Sequence, residues 1–157
     1  MDFNTSKLIN SSDVLASFYI FSKKQELNTG LKFNNLAIEA IWNESSIDFR
    51  YDQDQLETGS YVRVKNDITI YPDHTTVVFE PSELKILDKT WNFDSENSIY
   101  IAQKSFLFDN IKLFNEDQFI ALNGTISPNP NEMLGLEIHN VNLDFFNTLS
   151  TKEFKGL

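Results

Sequence analysis

Apolar and polar residues alternate along this chain from one end to the other, and a period of two suits a pleated strand, whereas a helix repeats every 3.6 residues. Ile47, Phe49 and Tyr51 fall on one side of such a run, and Asp48, Arg50 and Asp52 on the other. Leu134, Leu136 and Ile138 alternate in the same way with Gly135, Glu137 and His139. Shorter runs set Val62 with Val64, Ile68 with Ile70, Ile99 with Ile101 and Phe106 with Phe108. Helix is expected only near the ends, over Ser11 to Phe18 behind a serine cap and for a turn or two over Leu143 to Leu149.

Turn-forming clusters separate the runs: Asn28-Thr29-Gly30, Asn43-Glu44-Ser45-Ser46, Gln53-Asp54, Tyr71-Pro72-Asp73-His74, Asp94-Ser95-Glu96-Asn97 and Pro128-Asn129-Pro130-Asn131. Their spacing of about 8 to 14 residues is that of consecutive antiparallel strands. The segment IKLFNEDQFIAL reads as a hairpin with Asn115-Glu116-Asp117 at its tip. The apolar phase slips by one residue between Phe108 and Ile111, and again between Ile138 and Val141. A slip turns later side chains to the other face unless an extra residue absorbs it, so bends are expected at Asp109-Asn110 and His139-Asn140. The pattern predicts one all-β domain over residues 1–157: a curved antiparallel sheet, rolled like a taco or folded into two layers, with little helix.

Composition agrees with that class and removes several functions. At 157 residues, a chain buries roughly 70% of its unfolded surface, enough for one core. Fourteen phenylalanines and an aromatic share of 13% favour pleated structure. A net charge of -10 argues against binding a phosphate backbone, which needs a basic surface to release counterions. With no cysteine, disulfides, thiolate metal sites and cysteine nucleophiles are excluded together. The opening MDFNTSKLINSSD lacks a basic stretch followed by an apolar one, and no run of about 18 apolar residues occurs. A cytoplasmic protein, or a segment of a longer one, is the expectation.

Catalytic signals are weak. His74 sits in a turn and His139 at a strand end, neither beside a second ligand at a metal-binding spacing. Acidic neighbours such as Asp52 and Asp54, or Glu116 and Asp117, are the kind that cap turns and face water. Five glycines supply no GxGxxG, GxxxxGK or GxSxG motif. In Asn123-Gly124-Thr125, the glycine is expected to mark a bulge or a close backbone approach within a strand. The residues therefore predict no enzyme, no metal and no cofactor.

The second half carries a longer pattern: FEPSELKILDKTWNFDSENSIYI (79–101), FLFDNIKLFNEDQFIALNGTISPNPNEMLGLEIHNVNLDFFNTL (106–149), then Lys155-Gly156. It resembles the TamB-like translocation and assembly module family, in its long Bacteroidetes-type members. There a strand ending in a serine turn leads to a tryptophan strand, then a Gln, Ile and Gly strand, a Ser-Pro step, a leucine-alternating strand and a closing glycine. Ser82, Trp91, Asn97, Gln118, Ile120, Gly124, Ile126, Ser127, Pro130, Leu134 and Gly156 occupy those places. The likeness covers roughly residues 60–157, and the first 60 share only the strand-rich character.

The resemblance implies a taco-like sheet within a periplasmic protein that is anchored in the inner membrane and reaches toward the outer one. It further implies partners in lipid acyl chains and an outer-membrane assembly protein. Family members carry an anchor helix that is not found here, so the chain is expected to be one piece of a longer protein with pairing-competent edges. The expected lining of an apolar groove is Ile99, Ile101, Phe106, Phe108, Ile120, Leu122, Ile126, Leu134, Leu136 and Ile138. The alternation also suits a closed β-sandwich that binds glycan or protein.

Overall fold

The computed structural model describes residues 2–6, 15–26, 32–56, 58–86 and 88–141, and every regular element among them is a strand. They are β1 (Asp2–Ser6), β2 (Leu15–Glu26), β3 (Lys32–Asn43), β4 (Ser46–Gln55), β5 (Tyr61–Ile70) and β6 (Thr75–Phe79). β7 (Glu83–Ile86), β8 (Lys89–Phe93), β9 (Ser98–Ala102), β10 (Ser105–Asn115), β11 (Gln118–Ile126) and β12 (Leu134–His139) follow. All twelve belong to one curved, partly ringed antiparallel sheet.

The topology is close to a plain meander. β1 to β5 pair in chain order, as do β10 to β12. Between them, β6 and β7 act as one long strand broken in the middle, and so do β8 and β9. β5 pairs with β6 through Asn66 to Ile70 and with β7 through Tyr61 to Arg63. β10 pairs with β9 near its start and with β8 near its end. β6 meets β9 and β7 meets β8, so these ladders enclose a slit at the centre of the sheet.

Two buried polar side chains close the slit. The Ser82 hydroxyl accepts a hydrogen bond from the Lys65 N–H at 2.9 Å and donates to the Lys65 carbonyl at 3.1 Å. The Asn97 amide accepts from the Phe79 N–H at 2.7 Å and donates to the Phe79 carbonyl at 2.9 Å. Each side chain thus satisfies backbone groups that the broken ladders leave over, groups that would be costly to bury unpaired. Across the same opening, Phe79 and Phe93 stack with ring centroids 4.5 Å apart, and Trp91 is buried nearby on β8.

Phase slips are absorbed where an extra residue fits. Phe108 faces Gly124 and Ile111 faces Leu122, so Asp109 and Asn110 together oppose Asn123. Asn110 takes φ 47, and its N–H donates to Asn123 Oδ1 at 2.7 Å. Asn35, at φ 52, marks a matching bulge between β3 and β4. Gly124 has φ 110, and a Cβ there would lie 2.2 Å from the Met133 carbonyl oxygen. The close backbone approach expected at this glycine is therefore present.

Two local expectations are corrected. Leu15 to Phe18 is strand rather than helix, because β2 pairs with β3 from Leu15 to Glu26; residues 11–14 and 143–149 lie outside the described residues. Gln53 and Asp54 lie within β4, opposite Val62 and Tyr61. The turn comes later, with Gly59 at φ 64 and Gln55 N–H donating to the Ser60 carbonyl at 2.8 Å. The Asn28 to Gly30 cluster also lies outside the described residues. Turns do fall at Glu44-Ser45, Pro72-Asp73, Glu116-Asp117 and Pro130-Asn131.

Candidate functional site

Directly opposed residues in an antiparallel sheet point to the same face, so the registers decide which side chains lie together. Read from strand to strand, one row runs Ala16, Trp42, Ile47, Ile68, Val77, Ile99, Phe108, Gly124, Leu134. It crosses nine strands and holds no ionisable or polar side chain. A neighbouring row runs Phe18, Ala40, Phe49, Asn66 and Phe79. It passes over the slit through the Phe79–Phe93 stack and continues as Phe93, Leu113, Ile120, Ile138.

All ten residues expected to line a groove fall on this face. Ile101, Phe106 and Ile126 form one row, Ile99, Phe108 and Leu134 belong to the first, and Ile120 pairs with Ile138 and Leu122 with Leu136. The bulge at Asp109-Asn110 makes this possible. Without the extra residue, Phe106 and Phe108 would face away from Ile111 and Leu113.

The expected lining leaves out the other half of the face, contributed by β2 to β6. The alternation in LASFYIF and LAIEAIW carries the same signal, but it lies outside the stretch that bears the resemblance. On β2 the sheltering alternates, with Ala16, Phe18 and Ile20 half-buried and Leu15, Tyr19 and Phe21 exposed. The apolar face is thus the more covered one there. Among the described residues no large side chain is fully buried, and Leu136 remains 61% exposed.

Charge is gathered on the opposite face. Glu39, Arg50 and Lys65 share one row, and Asp52 and Arg63 the next. Arg50 Nε donates to Asp52 at 2.6 Å, and Arg63 pairs with Asp54. Burial opposes ionisation of Asp54, but hydrogen bonds from Arg63 and Asn35 outweigh it and hold the carboxyl below its usual range. On the same face the Tyr61 hydroxyl donates to Glu83 at 2.7 Å, which raises its pKa.

The apolar face holds a few polar groups. Tyr51 donates to Gln53 within it, and burial raises the Tyr51 pKa. Asn66 Oδ1 is buried without a hydrogen-bond partner. On the opposite face, His74 lies between the rings of Tyr71 and Tyr100, each centroid 4.3 Å away, and His139 stacks on Phe119. No group of three or more metal-ligating side chains occurs among the described residues. No known protein family, curated protein or solved structure matches this chain.

Proposed function

We propose that this chain is a non-catalytic segment of a TamB-like, periplasm-spanning envelope protein, and that its apolar face conducts acyl chains in support of outer-membrane lipid transport and protein assembly. The observation that carries the reading is the nine-strand row from Ala16 to Leu134 without a polar side chain. At a strand spacing of about 4.8 Å, eight intervals extend about 38 Å. Exposing a 16-carbon chain to water costs about 12 kcal/mol, at about 0.8 kcal/mol per methylene, so a carrier has to keep its lining unbroken. A path that crosses strands, rather than following one, lengthens whenever another strand is added to the sheet. That geometry suits a protein spanning the distance between two membranes.

A closed sandwich would shield its apolar face with a second layer and leave large side chains fully buried. The lack of any such side chain among the described residues favours the open arrangement. Four residues that carry the family resemblance also have defined work in this sheet: Ser82 and Asn97 close the slit, Trp91 is buried beside it, and Gly124 permits the approach of Met133.

The test uses the full-length parent protein, with a photo-crosslinking residue at Ile120 or Leu136 and, separately, Ile120→Asp or Leu136→Asp. Lipid adducts at both positions, with loss of lipid arrival at the outer membrane in folded aspartate variants, are the expected result. Unchanged transport in a folded variant would remove these residues from the path. Variants that simply unfold, with no adducts, would return the face to the role of an ordinary core.

A further inference from the structure

We infer that β12 is a docking edge for a second copy of this chain, paired antiparallel about Leu136 so that the apolar face continues from one molecule into the other. Among the described residues β12 has one strand neighbour, β11. All six of its residues are exposed. A strand in that position presents a row of unpaired N–H and carbonyl groups, and folds that keep such an edge single usually blunt it with lysine, proline or a bulge. LGLEIH contains none of these; its ladder to β11 is regular from Phe119–His139 to Gly124–Leu134.

The sequence of β12 is complementary to itself in one register. With Leu136 opposite its own copy, Leu134 meets Ile138 on the apolar face. On the other face Glu137 meets Gly135, so the strand's carboxylate does not oppose its twin and has room above a residue without a side chain. A two-fold axis perpendicular to the sheet keeps both apolar faces on the same side. The row through Gly124 and Leu134 and that through Ile120 and Ile138 then each run into the other's continuation in the second molecule.

Charge sets the conditions. Each copy carries -10, and this repulsion is screened beyond about 8 Å at physiological ionic strength. The pairing therefore strengthens with salt. A contact of six residues per strand is small, which places it with interfaces under about 1,200 Å² and with dissociation constants between about 1 µM and 1 mM.

The absence of native cysteine makes a register test simple. Leu136→Cys puts one thiol opposite itself at a Cα separation of about 4.5 to 5.5 Å, within disulfide reach. Under mild oxidation this variant of the full chain should become mostly a disulfide dimer. Gly135→Cys and Glu137→Cys should each stay largely monomeric alone and form the dimer when mixed. Unmodified chain should shift toward dimer mass in sedimentation as concentration and salt rise, and Leu136→Lys, shown to be folded by circular dichroism, should abolish the shift.

Equal crosslinking at 135, 136 and 137 would overturn the register. A monomer at 1 mM, a trend reversed by salt, or species growing beyond the dimer would overturn the proposal. So would a dimer that forms only when residues 142–157 are removed, since that segment would then be the edge's occupant.

Discussion

The hydroxyl of Ser82 holds both backbone polar groups of Lys65, accepting from its N–H at 2.9 Å and donating to its carbonyl at 3.1 Å. One small side chain thereby stands in for a strand at the point where β5 exchanges β6 for β7. Ser82→Ala should leave the Lys65 N–H without its partner and cost about 1 to 3 kcal/mol. Urea unfolding monitored by tryptophan fluorescence measures it; a loss below about 0.5 kcal/mol would mean that water replaces the hydroxyl freely.

Asn97 makes the same two contacts with Phe79 and adds a third, donating to the Asp94 carbonyl at 2.6 Å. Asn97→Ala should therefore destabilise more than Ser82→Ala. Amide exchange should quicken first at Phe79 and its neighbours, because the closing of the slit is what protects them.

Gly124→Ala places a methyl group 2.2 Å from the Met133 carbonyl oxygen, in a backbone conformation at φ 110 that disfavours side chains. The neighbour is backbone and cannot swing away, so β12 has to separate locally from β11. Loss of about 1 to 3 kcal/mol is expected, together with faster exchange along Leu134 to His139. An unperturbed β12 in the variant would contradict the geometry.

Asn66 interrupts an apolar row between Phe49 and Phe79, with its Oδ1 buried and unpaired. Asn66→Leu removes that unpaired acceptor and should raise stability by about 1 kcal/mol. If the unfolding midpoint falls instead, the amide has a structural role that outweighs its unpaired oxygen.

The acid limb of stability should contain a contribution from Asp54. Its folded pKa is depressed, with burial opposing and the Arg63 and Asn35 hydrogen bonds prevailing. Such a carboxyl contributes in full above the ordinary aspartate value of about 3.9 and loses its contribution as pH falls through the folded value. Asp54→Asn should lower the urea midpoint at neutral pH, converge with the unmodified chain in acid, and matter less at high salt, since the pair is partly exposed.

Strand identity and facing were written locally. The alternation in IDFRYD and LGLEIH specifies pleated structure and separates an apolar side from a polar one, and the slip between Phe108 and Ile111 requires the extra residue that Asn110 supplies. The shared face of the ten residues expected to line a groove follows from that parity once the bulge is counted. Other outcomes depended on partners far along the chain. Gln53 and Asp54 carry turn chemistry, yet Val62, Tyr61 and Arg63 on β5 hold them in strand. Leu15 to Phe18 has no decisive local preference, and pairing with Ala40 to Asn43 makes it strand. The slit was invisible in the same way: Ser82 and Asn97 look like ordinary turn residues until the fold brings Lys65 and Phe79 beside them. Periodicity is a property of neighbours in sequence, whereas the satisfaction of a backbone hydrogen bond across the sheet is a property of neighbours in space.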